Sequence, residues 1–371
     1  MKFGLLYEIQ IPPPWSEGYE ARAYAEAMEQ IVLADELGWD YVWAVEHHML
    51  PGWSHSSAPE VFFGALSQRT SRIRLGHGIA LLPKNFNHPV RVAERTAVLD
   101  ILSGGRVDLG TGRAVTLQEL DGFQVEPDET QAQWAEGIEI VKRAWRDEPL
   151  SFDGTYYQIP ERHVVPKPLQ KPHPPLWLAG TNPETFAKAG RHGLGLLGFV
   201  TATPDEVEPR VAAYRAGIAD PNPIGDFIND QVAVLMQTYC AETNAEALAV
   251  AEPAVTRSAE LAAELFLPWA EPGATKNAAS YQYLTEQSRT GAAAPESVAE
   301  RARKGVLAIG TPDDLVETIK RYESMGVDQV MTWVQFGGLP HDKIMESMRL
   351  MGEQVLPKLQ QTSGAPSGNP S

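Results

Sequence analysis

The chain has 371 residues, 43% of them hydrophobic, with 31 basic against 48 acidic side chains and a formal net charge of −17. That length and apolar content suffice for one large α/β core with insertions, and no second domain is required. The acidity, with a pI near 5.0, excludes a field that gathers nucleic acid or an anionic membrane, so any bound phosphate must be held by a local site.

Residues 3–7 predict a first strand. Their flanks, MKFGLLYEIQ, carry one lysine and only a short apolar run. No later stretch approaches the roughly 20 apolar residues of a membrane span, so a soluble, cytoplasmic protein is expected. Across 20–37, Ala23, Ala27, Ile31 and Ala34 recur at helical spacing, and Gly38 is placed to end the helix. A second strand follows at 41–45, and the pattern then repeats. Strands are predicted at 73–81, 106–109, 176–178, 194–200, 231–239 and 329–334, with helices at 90–102, 131–145, 311–325 and 342–359. Short apolar runs alternating with helices call for parallel strands joined by crossovers, and eight of them close into a barrel more naturally than they spread into an open sheet. The expected fold is therefore α/β, a (β/α)8 TIM barrel forming one domain over 1–361, with a Gly-, Ser- and Pro-rich disordered tail at 362–371.

Two segments interrupt the rhythm. Residues 150–158, with Asp153-Gly154 between β-prone runs, predict a hairpin, and a Pro-rich stretch at 165–175 leads on to the fifth strand. Residues 268–299, where Pro, Gly and Ala surround Tyr281, Tyr283 and Gln287, are too long for an ordinary connection and form a candidate lid. The single cysteine, Cys240, excludes an intrachain disulfide and a cysteine-rich metal site, and fits a reducing compartment.

Reacting groups in such barrels sit at the C-terminal ends of strands. Glu46-His47-His48 follows the second strand directly. Neighbouring residues in extended chain face opposite ways, so the two histidines have different jobs: one faces the pocket as a base, or both serve only as loop hydrogen-bonding groups. Gly76-His77-Gly78-Ile79 in the third strand marks a bulge, a kink, or a place where a flat ligand nears the backbone. His88-Pro89 reads as a helix start. Gly110-Thr111-Gly112-Arg113 is read as a small-residue loop ending in a permanent cation, as phosphate binding requires. Thr181-Asn182-Pro183-Glu184-Thr185 opens a helix and offers either a second anion site or ordinary capping by Asn182.

Taken together, EHH after the second strand, LPKNFNHPVRVAE, LSGGRVDLGTGR at 102–113 and the late GTPDDLVE resemble the bacterial luciferase-like flavin monooxygenases, in order and spacing, over roughly residues 1–359. The resemblance implies reduced FMN, supplied by a separate NAD(P)H:flavin reductase, reacting with O2 to a C4a-(hydro)peroxyflavin that oxygenates a small organic substrate. It implies His47 as general base, titrating near neutral pH, and Glu46 lining the flavin site. It implies Gly78 and Ile79 under the ring with a non-prolyl cis peptide between them, Arg113 as phosphate clamp, and Thr181, Asn182 and Thr185 as the loop closing over the phosphate. Where luciferase has a second phosphate arginine, this chain has Gln131. Trp15, Trp53, Trp333, Phe336, Tyr281 and Tyr283 are expected to shape an apolar pocket that keeps water out, suited to an apolar or aromatic substrate. The resemblance also implies a homodimer through helices near the second and third strands. The alternatives are a deazaflavin-dependent hydride-transfer enzyme on the same barrel, whose relatives show Asp-His in place of Glu46-His47, a metal-dependent hydrolase, for which no ligand set is evident, and a non-catalytic flavin-binding subunit, which retention of His47 opposes.

Overall fold

In the computed structural model the described residues are 1–199, 202–271, 281–284 and 296–360. In chain order the strands are β1 (Lys2–Tyr7), β2 (Tyr41–Ala44), β3 (Arg74–Leu81), β4 (Val107–Gly112), β5 (Leu150–Asp153), β6 (Gln158–Arg162), β7 (Leu176–Gly180), β8 (Gly195–Gly198), β9 (Val232–Cys240), β10 (Ala308–Gly310) and β11 (Gln329–Trp333). The helices are α1 (Tyr19–Leu37), α2 (Pro59–Ser67), α3 (Pro89–Ser103), α4 (Leu117–Gly122), α5 (Thr130–Ala144), α6 (Pro183–Arg191), α7 (Pro204–Ala219), α8 (Asn244–Phe266), α9 (Val298–Arg303), α10 (Pro312–Ser324), α11 (His341–Gln354) and α12 (Leu356–Gln360). Parallel pairing runs β11–β1–β2–β3–β4–β7–β8–β9 and returns from β9 to β11. The sheet therefore closes into an eight-stranded parallel barrel with helices between its strands, as the alternation of apolar runs predicts.

The barrel interior is filled by large rings seated against glycines. Trp43 of β2 and Trp177 of β7 meet edge to face at 5.1 Å. A Cβ on Gly76 would lie 2.2 Å from the Trp43 indole, and one on Gly195 would lie 2.4 Å from the Trp177 indole. Gly76 is thus required for side-chain packing inside the barrel, and the flat group that approaches it is an indole of the protein itself.

The local signals act as expected at several ends. Gly38 closes α1 at φ 100°, its N–H bonded to the Ala34 carbonyl. His88 caps α3, its ring accepting from the Val90 N–H with Pro89 at the first helical position. The predicted hairpin is the antiparallel pair β5–β6, pinned to α5 because the Glu136 carboxylate accepts the N–H groups of Thr155, Tyr156 and Tyr157.

Other boundaries differ. The fourth strand does not stop at Leu109 but continues to Gly112, so the expected glycine loop is strand. The helix expected over 342–359 is broken between α11 and α12 near Pro357, which has no N–H to continue the ladder. The short β10 and the 23-residue α8, which carries Pro253 within it, were not among the predicted elements. Residue 200 of the sixth predicted strand and the tail 362–371 lie outside the described residues. No helix among the described residues is long and apolar enough to cross a membrane.

Candidate active site

β1 and β2 end side by side, with Tyr7 opposite Ala44, so Glu8 and the Glu46-His47-His48 run leave the sheet together. Just beyond them the backbone takes the left-handed region at Ile9 (φ 49°) and Met49 (φ 58°). A β-branched residue is disfavoured there, and such outliers mark places where the surroundings hold the chain in a particular turn. Here the turns flank Glu8 and the two histidines. His47 Nε2 stands 3.8 Å from Glu8 Oε2.

The third member comes from α4. Thr116 caps that helix, accepting from the Glu119 N–H and donating its hydroxyl to Glu119 Oε2 at 2.6 Å. The other oxygen of the fully buried Glu119 accepts from His47 Nδ1 at 3.0 Å and from the His48 N–H at 2.9 Å. Burial opposes a charge on His47, but Glu119, Glu8 and Glu46 together outweigh it and raise the imidazole to about 9. Burial likewise pushes Glu119 up, yet the His47 pair and its hydrogen bonds hold it below the usual carboxylate range. Glu8 goes the other way: burial, reinforced by Glu119 and opposed by His47, pushes it up to about 7. Against the expectation of an imidazole titrating near neutral pH, the surrounding carboxylates favour the charged form of His47, while burial favours the protonated form of Glu8.

Glu46 is buried and commits both oxygens to the protein, one to the Leu81 N–H and the other to Asn87 and His48. It ties the end of β2 to the end of β3 instead of presenting a free carboxylate to a ligand. Gly78 and Ile79 lie where β3 shifts register against β4, between His77 and Ala80. The expected cis peptide is absent there: among the described residues the cis bonds are Pro13–Pro14, Val165–Pro166 and Lys171–Pro172. Gly112 leaves room for the Ile79 side chain, whose Cδ1 would lie 2.3 Å from an added Cβ.

Arg113 is the first residue past β4. It donates to Thr130 Oγ1 at 3.2 Å, and its guanidinium lies 4.9 Å from the Tyr281 ring centroid. Tyr281 in turn stacks on Trp269 at 5.1 Å and donates to the Ala114 carbonyl. The described part of the expected lid therefore covers Arg113 at the barrel mouth, while 272–280 and 285–295 lie outside the described residues. On the other side, Asn182 Oδ1 accepts the N–H and the hydroxyl of Thr185, so its carbonyl is spent on capping α6. Thr181 Oγ1 is buried without a hydrogen-bond partner of ordinary geometry. Burial pushes the nearby Tyr283 phenol up, and Thr181 and Arg113 both work against that push. Arg113, Thr181 and Tyr283 thus share one neighbourhood.

The family model described as luciferase-like monooxygenase matches residues 1–329. The chain belongs to the luciferase-like monooxygenase family. The oxygenase component of the flavin-dependent trigonelline monooxygenase of Acinetobacter baylyi is 26% identical over 347 residues, covering 91% of this chain and 90% of that protein. An F420-dependent glucose-6-phosphate dehydrogenase of Microbacterium testaceum is 27% identical over 356 residues, covering 93% and 98% respectively. The oxygenating constituent of 3,6-diketocamphane monooxygenase of Pseudomonas putida, solved in complex with FMN, shares the fold with a TM-score of 0.76 at 19% identity, over 96% of this chain and 99% of that one. This luciferase-like protein is accordingly an enzyme, an oxidoreductase of the monooxygenase type on a TIM barrel.

Within this luciferase-like barrel the predicted aromatic set divides. Trp53, Trp333 and Phe336 form a chain of edge contacts, 5.8 Å at each step. Trp15 stands apart, 44% exposed and stacked on Tyr19. Glu8 and Glu119 were not singled out from the sequence. Glu8 was within reach of the rule used for Glu46, a polar residue directly after a strand. Glu119 reads locally as the end of a capping box, and only the folded chain brings it to His47. Among the described residues no three His, Cys, Asp or Glu side chains converge as metal ligands would.

Proposed function

We infer that the chain is the oxygenase of a two-component system, taking reduced FMN from a separate NAD(P)H:flavin reductase in the cytoplasm and using O2 to oxygenate a small apolar or aromatic organic substrate. The observation that carries this reading is the part-buried His47 held between the buried carboxyl groups of Glu8 and Glu119 at the mouth of a luciferase-like barrel. The described residues fit a phosphate-bearing flavin: a cation at Arg113, the buried Thr181 hydroxyl beside Tyr283 and the helix start at Thr185 lie past the ends of neighbouring strands. When bound, the reduced flavin supplies two electrons to O2, so that one oxygen atom enters the substrate and the other leaves as water.

The chain's own groups do the rest. Arg113 and Thr181 hold the phosphate, while Asn182 keeps the start of α6 in shape for Thr185. Gly78 and Ile79 would line the ring site, and Glu46 holds β2 and β3 in register. Glu119 engages His47 at Nδ1 and so leaves Nε2, facing Glu8, as the position where His47 holds or releases a proton, with Glu8 as the exchanging carboxyl beside it. The Trp53–Trp333–Phe336 rings exclude water. Residues 1–361 act as one catalytic unit. Exposed Val61 on α2 and Val98, Ile101 and Leu102 on α3 form an apolar face suited to a homodimer.

The full-length likeness to an F420-dependent enzyme supports a second reading, hydride transfer with a deazaflavin. Rapid mixing separates the two. Protein loaded with reduced FMN should delay the return of oxidised-flavin absorbance on meeting O2, and a substrate should shorten the delay. Immediate reoxidation together with tight binding of a deazaflavin would overturn the oxygenase reading.

A further inference from the structure

A phosphate monoester carries close to two negative charges, and a partly buried site with one cation compensates it poorly. The sequence provides Arg113 after β4, but in α5, where a second arginine is expected from the family resemblance, residue 131 is glutamine. The fold brings a different cation to the cleft that Gln131 lines. Lys188 lies in the second turn of α6 and places its Nζ 4.6 Å from the centroid of the Trp134 ring. Trp134 is buried and anchored, its indole N–H donating to Thr111 Oγ1 of β4 at 3.1 Å. Arg113 donates to Thr130, the first residue of α5 and one turn before Trp134. A continuous path thus runs from Arg113 along the start of α5 to Lys188.

Gln131, Trp134 and Lys188 line one open cleft of about 540 Å³ whose rim also carries the carboxylates of Asp128 and Glu139, so the anion would have to sit on the Arg113 side of Lys188. The cation of Lys188 is held on an aromatic face, an arrangement that keeps ammonium N–H groups available to an anion. Burial pulls the Lys188 ammonium below its ordinary range, and the nearby Arg113 charge pulls it further, with Glu184 opposing. Two like charges held within each other's field are costly, and an anion shared between them removes that cost.

We propose that Lys188 is the second cation of the flavin-phosphate site, supplying from α6 the charge that Gln131 does not supply from α5. This rests on the reading of the chain as a flavin-phosphate-binding oxygenase. The test is equilibrium titration of the full chain with oxidised FMN and with riboflavin, followed by flavin fluorescence, with inorganic phosphate as competitor against FMN. The unaltered protein should prefer FMN. Lys188→Met keeps the apolar stem on Trp134 and removes the charge; it should lose about tenfold or more of that preference, with riboflavin unmoved and phosphate competition weakened. Lys188→Arg should keep the preference, and adding Gln131→Arg to Lys188→Met should restore part of it. An unchanged FMN-to-riboflavin ratio in Lys188→Met overturns the inference and leaves the flavin reading standing. Equal weakening of both flavins also overturns it, because the role would then be packing alone. An unaltered protein that binds neither flavin removes the underlying reading, and this inference with it.

Discussion

On the side of the mouth formed by β1, β2 and α4, ionisable groups are buried against one another; on the side formed by β4, α5 and α6, cations rest on aromatic rings. In the first region every oxygen of Glu119 is taken by a donor of the protein, from His47, His48 or Thr116. In the second, Arg113 lies over Tyr281 and Lys188 over Trp134. The first arrangement sets its charges against one another, with Glu8 Oε2 held near His47 but without a hydrogen bond, and so is suited to hold a proton. The second sets each cation against a ring face, Lys188 in a cleft that also carries Asp128 and Glu139, and the proposed phosphate site would use these cations. A chain with a net charge of −17 can hold both because burial and short distances, not the total charge, set the local field.

The contrast can be broken most directly at Glu119. Glu119→Ala strands a part-buried His47 ring and two further donors around a fully buried position, so chemical denaturation should show a loss of about 3 kcal/mol; a loss below about 1 kcal/mol would mean that the pair is not held as described. Next in size, His47→Ala should lower turnover roughly 10²-fold or more while flavin affinity changes little. Parallel loss of affinity and turnover would move His47 from proton handling to binding. On the cationic side, Arg113→Ala should weaken FMN by about tenfold or more and riboflavin far less, and equal effects on both would remove the phosphate assignment.

The pH dependence sharpens the comparison further. Because the folded pKa of His47 is raised from the ordinary 6.5 to about 9, its contribution to stability is complete below about pH 6.5 and is lost as pH rises through 9. Glu8, raised from 4.5 to about 7, also loses its contribution as pH rises, in the lower window from about 4.5 to 7. The stability difference between the unaltered protein and His47→Gln should therefore shrink between pH 6.5 and 9, and a flat difference would show that the carboxylates do not hold the proton. The smallest effect is expected at the cap: Asn182→Ala should cost about 1 kcal/mol in thermal or chemical unfolding, whereas a loss of FMN affinity without a loss of stability would make Asn182 a ligand group instead.

Much of the scaffold was legible because its signals are local. Gly38, His88-Pro89 and Asp153-Gly154 each act within a few residues, and each is found doing what its chemistry predicts. The extent of β4 was not legible, since glycines at 110 and 112 look like a loop until the His77 carbonyl and the Ile79 side chain are seen filling the space above them. The site was legible in part for the same reason. His47 and Arg113 stand out as residues that follow strands. The ionisation of His47 depends on Glu119, 72 positions away in the chain, and no local pattern carries that distance.

By itself, the amino-acid sequence determined the eight strands, their alternation with helices and hence the barrel, because apolar periodicity and turn chemistry are properties of neighbouring residues. It also placed Glu46, His47 and Arg113 at the barrel mouth through their positions after strands. Only the tertiary structure decided which charges meet: Glu8 and Glu119 around His47, and Lys188 beside Trp134 in the cleft that Gln131 shares. Electrostatic energy depends on distance and burial, and both exist only once the barrel has closed.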